Sequence, residues 1–189
     1  MKTKEFDRLL LKTAFSCMVC DGDIDKETEV PFFKEFCEKS AFFNEINYVE
    51  LINDYINSFN ANKESFIKGY LNEMKNGKFD DECSLSIINV ALGMIYADNI
   101  VKYEEIKFFK LIRIRLSISD EKIITRFPSK IAFLQTTDED LILQMPDIAQ
   151  FLEKDIVTDS FIDKITNQFL EETNLPKFEL ISLLNDSKA

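Results

Sequence analysis

The chain has 189 residues, 46% of them apolar and 18 of them Phe, which is ample for one domain with a sizeable core. It carries a formal charge of −11 and no His, excluding imidazole acid–base chemistry, His-metal centres and histidine pH switching. The same acidity argues against nucleic-acid binding, where a basic face must displace counterions, and only four Gly and four Pro favour long helices over tight turns.

In chain order, Phe6, Leu9, Leu10, Thr13, Ala14, Cys17 and Met18 recur at three- and four-residue steps, predicting a helix with one apolar face. Asp21-Gly22 ends it, because Gly tolerates a left-handed backbone that larger residues avoid. Asp25 is placed to cap the next helix, which runs to about Ser40, with Glu27 and Glu29 at its positive end. Ile46, Val49, Ile52, Ile56 and Phe59 make a third stripe. Phe66, Ile67, Tyr70, Leu71 and Met74 make a fourth, closed by Asn76-Gly77. Leu85 to Ala97 is apolar nearly all round and reads as a central buried helix, the counterpart of Leu9 to Cys20. After Asp98-Asn99, a helix turns Ile106, Phe109, Ile112 and Leu116 inward and Lys107, Lys110 and Arg113 outward.

Beyond Arg126 the pattern breaks at Phe127-Pro128-Ser129, and Lys130 to Gln135 reads as extended or helical. Helix starts are predicted at Thr137-Asp138-Glu139-Asp140 and at Pro146-Asp147. Phe161, Ile162, Ile165 and Phe169 form a last stripe before Asn174-Leu175-Pro176. The class is all-α: a compact helical bundle from two pseudo-symmetric helix–acidic turn–helix repeats over residues 1–126, with an acidic helical extension over 127–189 packed on it. Residues 130–189 hold 12 acids and 5 bases, net −7.

Four cysteines stand at 17, 20, 37 and 83. Cys17-Met18-Val19-Cys20 has CxxC spacing, but it lies in an apolar helical run and has no second pair to complete a zinc site, so these read as reduced packing thiols. No run of 18 apolar residues exists, and Glu5, Asp7 and Lys12 spoil a signal-peptide pattern. A cytoplasmic protein is expected. Lys107, Lys110, Arg113 and Arg115 form a basic patch that could meet a membrane surface, although the overall charge opposes anionic lipid.

The repeat is the most informative feature. Asp21-Gly22-Asp23-Ile24-Asp25-Lys26-Glu27 returns 77 residues later as Asp98-Asn99-Ile100-Val101-Lys102-Tyr103-Glu104, and Phe-Phe-Lys follows each copy, at 32–34 and 108–110. Asp21, Asp23 and Asp25 alternate as in a calcium loop. An EF-hand fails twice, however, with Lys26 where Gly must turn and Phe32 where a bidentate Glu must ligate. Two readings of these acids stay open: helix caps and dipole complements, or oxygen ligands to a divalent cation. Catalysis has no footing, since no nucleophile–base pair, phosphate loop or dinucleotide fingerprint is present.

The pattern of an apolar small-residue helix, then Cys20-Asp21-Gly22-Asp23-Ile24 with Glu27, and Ala97-Asp98-Asn99-Ile100-Val101 with Glu104, resembles the TerB-like family. That family is named for tellurite-resistance proteins and is related to the N-terminal region of DjlA-type co-chaperones. The resemblance covers roughly residues 4–125. It implies a pseudo-symmetric helical domain in a stress-response or membrane-associated assembly, with Asp21, Glu27, Asp98 and Glu104 as candidate ligands; the alternating pattern adds Asp23 and Asp25, and an all-oxygen set suits Ca²⁺ or Mg²⁺. Asn99 departs from the family's usual Gly. The expected role is non-enzymatic, as a binding or scaffold domain with a protein partner; the alternative is a pure protein-interaction module whose acidic turns are structural.

Overall fold

The computed structural model describes residues 4–97, 101–130 and 160–173, and every regular element among them is a helix. The elements are α1 (Lys4–Met18), α2 (Glu29–Lys39), α3 (Tyr48–Ala61), α4 (Lys63–Asn76), α5 (Asp81–Ile95), α6 (Tyr103–Arg113), α7 (Asp120–Arg126) and α8 (Phe161–Thr173). The helix starts expected at Thr137 and Pro146, the segment Lys130–Gln135 beyond its first residue, and Asp98 lie outside the described residues. None of the described helices is long and apolar enough to cross a membrane.

The duplication is legible in the elements. Helices α1 and α5 each have 15 residues, and α2 and α6 each have 11. The helices α1 and α5 pack against each other at the centre. Leu10, Leu11, Ala14 and Phe15 from one and Ile87, Ile88, Ala91, Leu92 and Ile95 from the other are wholly buried. Burying one such side chain is worth roughly 1.5–3 kcal/mol, so this seam dominates the stability of the bundle. Around it, α3 and α4 form a hairpin against α1, while α6 packs on α5 and α4. Phe15 is the hub of an aromatic cluster, with ring centroids 5.4 Å from Phe66, 5.6 Å from Tyr55, 5.9 Å from Phe33 and 6.3 Å from Phe59. One buried polar chain crosses the interior: the Tyr70 hydroxyl donates to Thr13 Oγ1 at 3.0 Å, and Thr13 donates on to the Leu9 carbonyl at 2.9 Å.

The helix starts follow from capping chemistry. Asn62 and Asp80 accept from the backbone N–H three residues on, each at 2.8 Å, and Ser160 accepts from Asp163 N at 3.2 Å. Asp25, expected to cap α2, instead caps the turn ahead of it; the N-cap position of the helix itself is Thr28, whose side chain makes no capping bond. Its Oδ1 accepts from Glu27 N at 2.8 Å and Thr28 N at 3.2 Å, and its carbonyl takes Glu29 N at 3.0 Å. One irregular turn intervenes before regular helix begins at Glu29.

Two further expectations are corrected. Val49 is exposed, because α3 buries Ile52 and Phe59, turns Tyr48 and Leu51 partly inward and leaves Val49 on its outer side. More consequentially, Lys107, Lys110 and Arg113 do not face outward. Lys110 is 2% exposed, Lys107 pairs with Asp163, and Arg113 Nε donates to Asp120 Oδ1 at 2.5 Å. The physical reason is that α6 is covered on more than one side. Helix α8 packs on it, with Ile162 and Ile165 buried, and meets the basic stripe through Lys107, while Arg113 is taken up by Asp120 at the start of α7. Arg115 is drawn in as well, donating from Nη1 to the Leu111 carbonyl at 2.5 Å. The basic membrane-facing patch therefore does not exist as a surface.

The ammonium of Lys107 lies 4.7 Å from the Tyr103 ring centroid and beside the Asp163 carboxylate, which Ser160 Oγ also approaches at 2.7 Å. Burial pulls the Lys107 pKa down, but Tyr103 and Asp163 outweigh it and leave it raised. Helix α8 is thus fixed by an apolar stripe and one shielded ion pair.

Candidate functional site

The first acidic turn is built around Gly22, whose φ of +94° is the left-handed region that L side chains rarely adopt. A Cβ there would lie 2.8 Å from both Cβ and Cγ of Phe161, so the turn is pressed against the first residue of α8. Asp21 Oδ1 accepts from Asp23 N at 3.1 Å, closing a local Asx turn.

The alternating carboxylates of this turn face three different partners. Asp21 Oδ2 is 3.7 Å from Lys102 Nζ, at the start of α6. Asp23 Oδ1 accepts from Lys63 Nζ at 3.0 Å, at the start of α4, and its side chain is 89% exposed. Asp25 turns into the irregular turn ahead of α2, where Thr28 Oγ1 donates to Oδ2 at 2.7 Å; that bond, with the backbone N–H groups of Glu27 and Thr28, holds its carboxyl below the usual range. Glu27 is exposed and Glu104 half-buried. Among the described residues, no group of three or more Asp, Glu or Cys side chains is arranged to hold a metal ion.

The two turns do meet, through residues that the sequence pattern did not single out. Lys102 is the junction: burial lowers its pKa, but Asp21, Glu105 and Glu29 prevail and leave it raised. Glu105, not Glu104, closes the start of α6, accepting Lys102 N at 2.8 Å. Its position three residues into the helix is the capping-box signal that could have found it. Glu29 accepts Asp25 N at 2.9 Å, and its carboxyl is raised by burial and by the charges of Asp21 and Asp25.

Between the turns lies a cleft of about 220 Å³. Met18, Phe32, Met94 and Ala97 give it an apolar lining, and Thr28, Glu29, Lys102 and Glu105 a polar one. Phe32 is 36% exposed. The α2 helix stands close over α5 here, since a Cβ on Gly93 would come within 3.0 Å of the Phe36 ring. A larger hollow of about 340 Å³, bounded by Lys78, Phe79, Asp80 and Arg115, has little apolar lining beyond Phe79 and offers less to a ligand.

The cysteines are packing residues. Cys17, Cys20 and Cys37 are buried and Cys83 half-buried, and none of the four is disulfide-bonded. Burial raises the first two thiols well above their ordinary range and pushes Cys37 up to about 12, which keeps all three protonated and unreactive.

No family model, curated protein or solved structure matches the chain.

Proposed function

We propose that this chain is a non-enzymatic binding module of TerB-like type, and that a protein partner docks in the cleft between its two repeats. The observation that carries this reading is Phe32. A large aromatic side chain stands more than one-third exposed beside Met18 and Met94, at the junction of the duplicated halves. Aromatic and thioether side chains are the common anchors of binding surfaces, being large, adaptable and free of charge. The non-enzymatic part rests on chemistry: the chain has no His, and its three buried thiols are held protonated. In this reading the acidic turns are structural, Asp25 as a cap and Asp21 and Asp23 as partners of Lys102 and Lys63.

Site-specific photocrosslinking tests it. With p-benzoylphenylalanine at position 32, a discrete crosslinked species is expected in cells, and it should disappear when Met94→Lys closes the cleft. The same probe at exposed Val49 should give no such species. Identical products at both positions, or none at position 32, would refute docking at the cleft.

A further inference from the structure

We infer that the occupant of this cleft is a cationic amphipathic segment of another protein, presenting an aliphatic side chain next to Lys or Arg; this rests on the reading of the cleft as a docking site. Size comes first. At about 220 Å³ the cleft falls short of the roughly 300–1,000 Å³ of small-molecule sites and suits one or two inserted side chains. Its lining of Met18, Phe32 and Met94 has no hydrogen-bond donor and calls for an aliphatic anchor.

Charge then selects among macromolecules. Glu29 and Glu105 on the cleft's polar edge stand against the one ammonium of Lys102 that lines it, and Asp21 approaches that ammonium at 3.7 Å from beside the cleft. Asp25 adds its own field to Glu29. The rest of the chain does not offset this, since its net charge is −11. Phosphate backbones and anionic lipid are repelled by such an edge, whereas a Lys or Arg is attracted to it. An amphipathic helix meets both demands, with apolar anchors at i and i+4 and cations flanking them.

Three helical Ala-based peptides of 14 residues serve as probes: one with two Leu four residues apart flanked by Lys, one with Glu for Lys, and one with Ser for Leu. The full chain is labelled at its methionine methyl groups. Met18 and Met94 report on the cleft, and fully buried Met74 is the control. The Leu/Lys peptide should shift Met18 and Met94 and leave Met74 unmoved. The Glu peptide should bind about fivefold more weakly or worse, as expected for losing two exposed ion pairs. Glu29→Gln with Glu105→Gln keeps the amide-accepting oxygens and should weaken the Lys peptide alone. If the Glu peptide moves the same methyls at equal or lower concentration, the cationic occupant is wrong and the docking cleft survives. If the Ser peptide matches the Leu peptide, mere charge attraction explains the binding and the inference fails. If no peptide moves Met18 or Met94, the docking reading itself falls.

Discussion

Replacing Gly22 by Ala tests the contact that ties the acidic turn to the C-terminal helix. Two separate costs are expected. The backbone sits at φ +94°, where a Cβ crowds the following carbonyl at roughly 1–2 kcal/mol. The new methyl would also stand 2.8 Å from Phe161 Cβ and Cγ, atoms close to the backbone that cannot swing aside; such overpacking costs typically about 1–3 kcal/mol. Together these give about 3 kcal/mol, or roughly 6–12 °C in melting temperature for a chain of this size. A double-mutant cycle separates them. Phe161→Gly removes both obstructing carbons, and with them the edge contact to Phe59 at 6.3 Å, so Gly22→Ala in that background should cost only the backbone term. Urea unfolding of the four proteins supplies the numbers. If Gly22→Ala costs the same with and without the Phe161 side chain, α8 does not press on this turn, and the reasoning is refuted.

Phe15→Ala should cost about 3–5 kcal/mol, because it empties the centre of four aromatic contacts; a loss under ~1 kcal/mol in denaturant titration would contradict the hub role. Stability should fall as pH rises above about 9. The native state holds the protons of Cys17, Cys20 and Cys37 while the unfolded chain releases them, each thiol contributing up to ~1.4 kcal/mol per pH unit until its native pKa, about 12 for Cys37, is passed. Cys37→Ala should flatten that slope by one thiol, which unfolding curves at pH 8 to 10.5 would register. Asp163→Asn should cost about 3–5 kcal/mol by stranding the shielded Lys107 ammonium; a loss under ~1 kcal/mol in urea unfolding would argue against that pair. Ca²⁺ or Mg²⁺ at several millimolar should leave the melting curve unmoved if the acidic turns are structural, whereas a rise that Asp21→Asn abolishes would establish the cation reading instead.

Much of this fold was open to inspection in the chain, because a helix that buries one face writes that face at three- and four-residue steps. The stripe Phe66, Ile67, Tyr70, Leu71 and Met74 is buried as its spacing demands, and the continuous apolar run of α5 lies at the centre. Caps are equally local, which is why Asp25 could be read as a cap from its neighbours, although it caps the turn ahead of α2 and not the helix. What failed is tertiary. A helical wheel assumes one wet side, so Lys107, Lys110 and Arg113 read as surface. The pairing of Lys107 depends on α8, whose Asp163 is 56 residues away in the chain, and that of Arg113 on Asp120 of α7. Glu29, Lys102 and Glu105 were missed for the same reason, since each is an ordinary helix-end residue until the two repeats are brought together.

The repeats also explain where the asymmetry of the molecule resides. The paired helices match in length, 15 with 15 and 11 with 11, so the core tolerates little divergence. The turns do not match: residues 19–28 separate the helices of the first unit, and only 96–102 those of the second. The longer turn carries the Asp21, Asp23, Asp25 triplet and uses each acid in a different direction, toward α6, α4 and the turn itself. Surface ion pairs of this kind are worth only about 0–1 kcal/mol each, so they add little to stability. Their combined effect is positional. They hold Gly22 under Phe161 and keep Glu29 and Lys102 on the same cleft, so the turn joins the C-terminal helix, the first repeat and the second at one place. The two copies align residue for residue from Asp21 and Asp98 to Glu27 and Glu104, so the first turn is longer because residues 26–28 form an irregular turn where the second copy has already entered α6.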